Sequence, residues 1–510
     1  MNKFNTNFLK SGLLGYISFI CRGFTAYLSS IILTQALDIE EFGLYYFFIS
    51  SSAFLTILCS FGLEASVSRY CAEFLLDGKI SWVNKTLKGS LLIRGGALFL
   101  VVLFTYFLLP YLARFFPEMA LSQNTVGLFL IAFVASSLSS LVGTAFLQAY
   151  NMGHVDGVIR IFYSLVKFTG FIFCYLYWPS VTSVLIVWAA VEVVTLCIYF
   201  LLSARVYVLN KRDMQGSESS FDKGTVSRIS RFGLTHFFAV SIFIFIDFSI
   251  DNLVLARYRT PKEVGLYSLA FCIVSFLSQL NPMHSLKGVF NTLSLKIYKD
   301  HPRKSTILFL FPFLLKISLI VAGPIYLYFF VMGGKAVLIL YGEDYLVSVM
   351  LVKVLLSLLI FKEATHAFSP VINTLELNKL FLFAGLFSFL NLIGDILLVP
   401  TYGALGAAIA TGGSNVLIFF FYWRSFAKKG YIFAFPLLGV LRLCLNLLCT
   451  GIFLSFFVST VTEPAGLILY PSLATLLYIA LTYLNNPFDG EELGLLLQII
   501  QRQPKLSFNR

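Results

Sequence analysis

Residues 89–110 read GSLLIRGGALFLVVLFTYFLLP, an apolar run interrupted by a single charge, Arg94. A helix needs about 20 such residues to cross a hydrocarbon core. The run lacks the period-2 alternation that a strand of an outer-membrane barrel would show over about 10 residues, so it is read as a membrane helix. Similar blocks recur along the whole 510-residue chain, near 11–33, 42–63, 89–110, 125–147, 158–178, 180–202, 233–256, 264–286, 305–331, 349–372, 380–399, 405–423, 436–458 and 466–484. The expected fold class is therefore all-α: a polytopic membrane protein of about 14 transmembrane helices. Composition agrees, with 58% hydrophobic, 17% aromatic and only 12% charged residues, figures that a soluble chain of this length would not carry.

The net charge of +12 could suggest nucleic acid, but its placement argues against such a partner. With the N-terminus placed in the cytoplasm, the inside connections hold 24 of the 37 Lys and Arg, the outside connections 5 and the spans 8. By the positive-inside rule both termini are expected to be cytoplasmic. Three of the outside charges, Arg257, Arg259 and Lys262, share one short connection and strain the rule. The first block is too long for the apolar region of a cleavable signal peptide, so it is expected to stay as a helix.

No metal or nucleotide chemistry is signalled. The eight cysteines are scattered without a CxxC pair, and His154, His236, His284, His301 and His366 lack metal-ligand spacing. No phosphate-cradling loop is present, so no cofactor and no ATP-driven pump are expected.

An internal repeat supplies the organisation. Glu41-Phe42-Gly43-Leu44-Tyr45 opens the second span and Glu263-Val264-Gly265-Leu266-Tyr267 the eighth, 222 residues later. Other span boundaries keep nearly the same offset, so the chain reads as two six-helix lobes, 1–202 and 233–430. A cytoplasmic linker at 203–232 would join them, and 431–510 would supply two extra helices and a cytoplasmic tail. An even number of spans per lobe gives parallel repeats, with a substrate path between them.

Asp38-Ile39-Glu40-Glu41-Phe42-Gly43-Leu44-Tyr45, Phe61-Gly62-Leu63 and Ser68-Arg69-Tyr70 resemble the N-terminal signature of the polysaccharide-unit flippases of the multidrug/oligosaccharidyl-lipid/polysaccharide superfamily. Ile250-Asp251, Tyr341-Gly342-Glu343-Asp344-Tyr345 and the run from Asn391 through Pro400-Thr401-Tyr402-Gly403-Ala404-Leu405-Gly406-Ala407-Ala408-Ile409-Ala410-Thr411 resemble its second lobe. The resemblance covers roughly residues 8–430. It implies alternating access and a polyprenyl-diphosphate-linked oligosaccharide as partner, alongside membrane lipids and a polysaccharide polymerase machinery. The product would be a cell-surface polysaccharide such as lipopolysaccharide O-antigen or another exopolysaccharide. Asp395 departs from the pattern, which has an apolar or amide residue there.

Charges within the spans carry the site expectations. A central Arg or Lys costs about 2.5–3.5 kcal/mol on insertion scales, against about 0.3–0.6 gained per Leu, Ile, Phe or Val. Arg94, Arg160, Arg442 and Lys353 lie near span ends, where they can snorkel, and Lys316 is paired by the 222-residue offset with Arg94. The deep cations Arg22, Lys167 and Lys362 are the candidate substrate-binding residues, and the deep acids Asp247, Glu192 and Glu363 the candidates for gating or coupling. Under the same offset Arg22 aligns with Ile244, so Asp247 lies one helical turn from its counterpart and is expected to pair with it.

An acidic diphosphate needs cationic, hydrated contacts. Residues 8–34 hold no acid, which disfavours the alternative of an ion-coupled multidrug exporter that uses a first-helix carboxylate. A polytopic glycosyltransferase or polymerase is disfavoured because the outer connections reach only about 17 residues, too short for a catalytic outer domain. The chain is read as a transporter and not an enzyme.

Overall fold

The computed structural model describes residues 2–119, 121–150, 152–210, 223–246, 248–281, 291, 294, 295, 298, 299, 304–433, 435–490 and 492. The described residues form helices and connections with no strand. In chain order the helices are α1 (Asn2–Ala36), α2 (Ile39–Leu58), α3 (Leu63–Leu76), α4 (Ile80–Phe115), α5 (Gln123–Ser139), α6 (Leu147–Ala149), α7 (Gly153–Tyr177) and α8 (Val181–Asn210). They continue as α9 (Lys223–Ser241), α10 (Phe248–Tyr258), α11 (Pro261–Gln279), α12 (Lys304–Tyr341), α13 (Val347–His366) and α14 (Phe368–Thr374). The last are α15 (Asn378–Leu386), α16 (Ser388–Tyr402), α17 (Ala404–Lys428), α18 (Leu437–Ser455) and α19 (Gly466–Asn485).

Among the described residues, thirteen helical stretches are long and apolar enough to cross a membrane. The eighth expected span begins as α11, but its residues 282–286 lie outside the described residues, as does 211–222 of the expected linker. Between Leu92 and Leu108 the large exposed side chains of α4 are apolar or aromatic, among them Leu92, Phe99, Phe104 and Phe107, as a lipid-facing surface requires. The protein is a multi-pass helical membrane protein.

Local chemistry sets several boundaries. Asp38 caps α2, its carboxylate accepting from the N–H groups of Glu40 (3.0 Å) and Glu41 (2.7 Å). Ser122 and Thr125 form a reciprocal capping box at the start of α5. That helix then widens into a π-helical turn at Ser140–Phe146, where Gly143 lies against the Tyr199 ring so closely that a Cβ would meet it at 2.4 Å.

The backbone divides into two compact units that interleave along the chain: Met1–Cys272 with Ser388–Thr411, and Ile273–Phe387 with Gly412–Arg510. In the first unit α1 packs along α7, and α5 along α8. Both copies of the repeated motif belong to this unit and cross each other. A Cβ on Gly43 would lie 1.9 Å from the Pro261 carbonyl oxygen, and one on Gly265 would lie 2.6 Å from that of Ile39. The motif glutamates have matching tasks: Glu41 accepts the N–H of Val181 (3.3 Å) at the start of α8, and Glu263 that of Ala404 (3.0 Å) at the start of α17. The capped positions are 223 residues apart, within one residue of the 222-residue offset of the repeat.

Two charges of the crowded connection after the seventh span, Arg257 and Arg259, have partners in this unit. Arg259 donates to the carbonyls of Val399 (3.1 Å) and Pro400 (2.9 Å) near the end of α16, the former also accepting from the Gly403 N–H at 2.8 Å. Arg257 stacks on Phe115 at 4.8 Å. In the second unit α12 packs against α13, α18 and α19. Phe311 lies at its aromatic centre, 4.3 Å from Phe368 and 4.8 Å from Phe433 between ring centroids.

Candidate functional site

The packing of α1 along α7 brings together charges that are distant in sequence. A cavity of about 230 Å³ in the first unit is lined by Arg22, Arg160, Tyr163, Glu192 and Tyr199, with hydroxyls from Ser136, Ser139, Ser140 and Thr195 completing the wall. The π-helical turn begins at Ser140, so the local widening of the helix borders this cavity, a common place for such turns. Arg160 is neutralised by Asp156, whose Oδ2 accepts from its Nε at 2.9 Å, while Oδ1 accepts from the Tyr199 hydroxyl at 2.8 Å. Arg22 faces the same charges, yet its Nε is buried with no hydrogen-bond partner. The cavity therefore holds a guanidinium with donor capacity to spare, a group suited to phosphate oxygens.

Glu192 and Lys167 sit beside this cavity. The Glu192 carboxylate accepts from the Tyr163 hydroxyl (2.6 Å) and the Trp188 indole (3.1 Å). The Lys167 ammonium lies 5.6–5.8 Å from the ring centroids of Tyr163, Phe171 and Trp188, held by ring faces that attract a cation. Arg22, Lys167 and Glu192 thus gather in one neighbourhood. Asp247 lies outside the described residues.

Lys362 and Glu363 belong to the second unit. Glu363 is 1% exposed and accepts from Asn281 (2.5 Å) and Tyr326 (3.2 Å) at the edge of an otherwise apolar cavity of about 400 Å³. Lys362 is not among the residues lining that cavity. The end-of-span reading needs correction for Arg94: it is 0% exposed, ion-paired with Glu64, and donates to the carbonyl of Thr56. It does not snorkel, because α3 supplies a carboxylate at its own depth. Lys316 is likewise buried, against Glu492 at 2.6 Å.

A second polar cluster in the first unit joins Asp395, which the sequence reading noted only as a departure from the family pattern, to residues it quoted only as motif letters. Asp251 on α10, Asn391 and Asp395 on α16 are each 0% exposed. Asp251 accepts from the Tyr267 hydroxyl, from Thr411 Oγ1 (2.6 Å) and from Asn391 Nδ2 (2.8 Å). The same Asn391 amide reaches Asp395 Oδ2 at 3.3 Å. Asp395 Oδ1 and Asn391 Oδ1 are buried acceptors without a hydrogen-bond partner. Two carboxyl groups in one dry site call for a proton or a cation between them, and an all-oxygen donor set suits a hard cation. The available signal was the i, i+4 pair Asn391 and Asp395 inside an apolar span. The repeat turns a symmetric scaffold to unequal chemistry: a shift of 222 places Ser29, Phe173 and Ala189 at the counterparts of Asp251, Asp395 and Thr411.

A family model described as polysaccharide biosynthesis protein matches residues 11–285. The chain belongs to that family. Solved structures share the fold at low sequence identity. The lipid II flippase MurJ in an inward closed conformation superposes with a TM-score of 0.66 at 14% identity, covering 95% of this chain and 99% of MurJ. An inward-facing multidrug resistance MATE transporter of the MOP superfamily gives 0.54 at 16% identity, over 82% of this chain and 94% of its own. Its outward-facing counterpart gives 0.50 at 15%, over 82% and 96%. No curated protein matches the sequence. Membership in this family accounts for the motifs at 38–45 and 61–70, which lie within the matched region.

Proposed function

We propose that this protein is a flippase that carries a polyprenyl-diphosphate-linked oligosaccharide unit from the inner to the outer face of the cytoplasmic membrane, for cell-surface polysaccharide synthesis. The observation that carries the reading is the cavity at Arg22, where one buried guanidinium remains incompletely bonded beside an Arg160 already neutralised by Asp156. A hydroxyl-lined pocket of about 230 Å³ that holds a guanidinium with an unused donor suits a diphosphate or a single sugar. The family match and the fold shared with a lipid-linked precursor flippase support the same substrate class.

In this reading the two six-helix lobes of the repeat alternate in access, joined by the 203–232 linker, with both termini cytoplasmic. Arg22 binds phosphate oxygens bidentately, and Lys167 in its aromatic cage adds positive potential. Glu192, hydrogen-bonded to Tyr163 and Trp188, sets the position of both rings around that lysine. Asp251 and Asp395 form the coupling site, their protonation or cation occupancy changing the charge buried between α10 and α16. Asp247 and Glu363 remain proposed gating residues, and Lys362 a proposed head-group contact. A multidrug exporter of the same fold is the weaker reading, because the cavity offers a guanidinium with an unused donor and residues 8–34 hold no acid.

The test is substitution at Arg22. Arg22→Ala should abolish flipping at normal membrane abundance, whereas Arg22→Lys should retain part of it. Flipping by Arg22→Ala at the wild-type rate would reduce the residue to a structural charge.

A further inference from the structure

The second copy of the repeat has a buried cation without the partner that the first copy supplies. Arg94 and Lys316 are equivalent under the 222-residue offset, and Arg94 is paired with Glu64. The counterpart of Glu64 is Leu286, which has no charge to give. Lys316 instead takes its carboxylate from Glu492, 176 residues further along the chain, at 2.6 Å, with the two side chains only 6% and 2% exposed.

The segment that delivers Glu492 is fastened at several points. Glu492 and Asp489 cap each other's backbone N–H groups at 2.9 and 3.0 Å. Arg442 donates to the Asn486 carbonyl at 2.7 Å, and Phe488 packs against Phe313 at 6.1 Å between ring centroids. Gly439 lets the chain pass: a Cβ there would stand 2.7 Å from the Pro487 carbonyl oxygen and 2.8 Å from Lys316 Cε. Between this segment and α18 lies a cavity of about 390 Å³, lined by two cations, Lys316 and Arg442, by the acids Asp489 and Glu492, and by Leu437 and Leu438. Those two leucines are 61% and 65% exposed.

We propose that Lys316 and Arg442 form a binding site for the phosphate of an anionic phospholipid, and that Asn486–Gly490 with Glu492 act as a latch whose Glu492 carboxylate occupies that site when no lipid does. The chemistry is an exchange of anions. A buried ammonium cannot be left unpaired, so whatever displaces Glu492 must bring negative charge to the same place. Phosphate oxygens do so, and Arg442 can donate to them once the Asn486 carbonyl withdraws. A phospholipid is favoured over a free anion because Leu437 and Leu438 give acyl chains an apolar surface at the mouth of the cavity.

The experiment compares full-length wild type, Glu492→Gln and Lys316→Met/Glu492→Gln in nanodiscs of phosphatidylcholine alone or with phosphatidylglycerol, scored by thermal aggregation. Wild type should be equally stable in both. Glu492→Gln should fall in phosphatidylcholine and recover with phosphatidylglycerol, and the double variant, with neither charge, should be indifferent to the lipid. Adding inorganic phosphate to phosphatidylcholine discs should not restore Glu492→Gln; restoration there overturns the lipid assignment. An equal loss of Glu492→Gln in both lipids, its failure to assemble even with phosphatidylglycerol, or a lipid preference that persists in the double variant would each overturn the proposal.

Discussion

Substituting Gly43 with alanine tests the crossing that holds the two copies of the repeated motif together. The added Cβ would lie 1.9 Å from the Pro261 carbonyl oxygen and 2.7 Å from its carbon. Real Cβ atoms essentially never approach closer than 3.0 Å, so α2 and the start of α11 must separate by at least 1.1 Å, the difference of 3.0 and 1.9. Both sides of the contact are backbone, and no rotamer change can relieve it. Overpacking of this kind costs about 1–3 kcal/mol, and Gly43→Ala belongs at the upper end. Gly265→Ala violates the limit by only 0.4 Å, against the Ile39 carbonyl at 2.6 Å, and should cost about 1 kcal/mol. Because one separation relieves both clashes, the double variant should cost little more than Gly43→Ala alone, a coupling expected of residues in contact. Gly96→Ala is the control: it is exposed on α4 with nothing within 4 Å of a new Cβ, and should be neutral or slightly stabilising. Heating in mild detergent followed by fluorescence-detected size exclusion measures all four. Gly43→Ala as stable as Gly265→Ala, or strict additivity in the double variant, would refute the crossing.

Two further outcomes follow from the same structure. Asp395→Asn keeps the shape of its site but removes one of two buried carboxyl groups, so lipid-linked substrate should still bind while uptake driven by an imposed ion gradient in proteoliposomes is lost; unchanged gradient dependence would remove this cluster from the coupling. If the N-terminus is cytoplasmic, as proposed from the placement of the Lys and Arg residues, cysteines introduced at Ser219 and Gly334 in a cysteine-less background should differ in intact cells, only position 334 reacting with an impermeant reagent. Labelling at 219 would invert the topology.

The helical fold was legible because a bilayer imposes a length on every apolar block, and span after span meets it without help from distant residues. The repeat was legible for a related reason: Glu41 and Glu263 both serve as caps and Gly43 and Gly265 both serve the crossing, so the same letters recur where the same backbone geometry does. The site was legible only as a set of unusual charges. Arg22 stood out by its depth, but its neighbours Asp156 and Arg160 come from α7, and nothing in the sequence says that α1 packs along α7. Arg94 was misread because depth along a span does not reveal that Glu64 on a separate helix reaches it. Asp251, Asn391, Asp395 and Thr411 were each visible and never joined, since three helices must fold together before their oxygens meet.

The most direct measurement of the central claim is the sidedness of lipid-linked saccharide in cells lacking this protein and any redundant flippase. Polyprenyl-diphosphate-linked repeat units should continue to be made and should accumulate on the cytoplasmic leaflet, with surface polysaccharide lost and both restored by the wild-type chain but not by Arg22→Ala. Normal surface polysaccharide in that strain, with no cytoplasmic accumulation, would contradict the account.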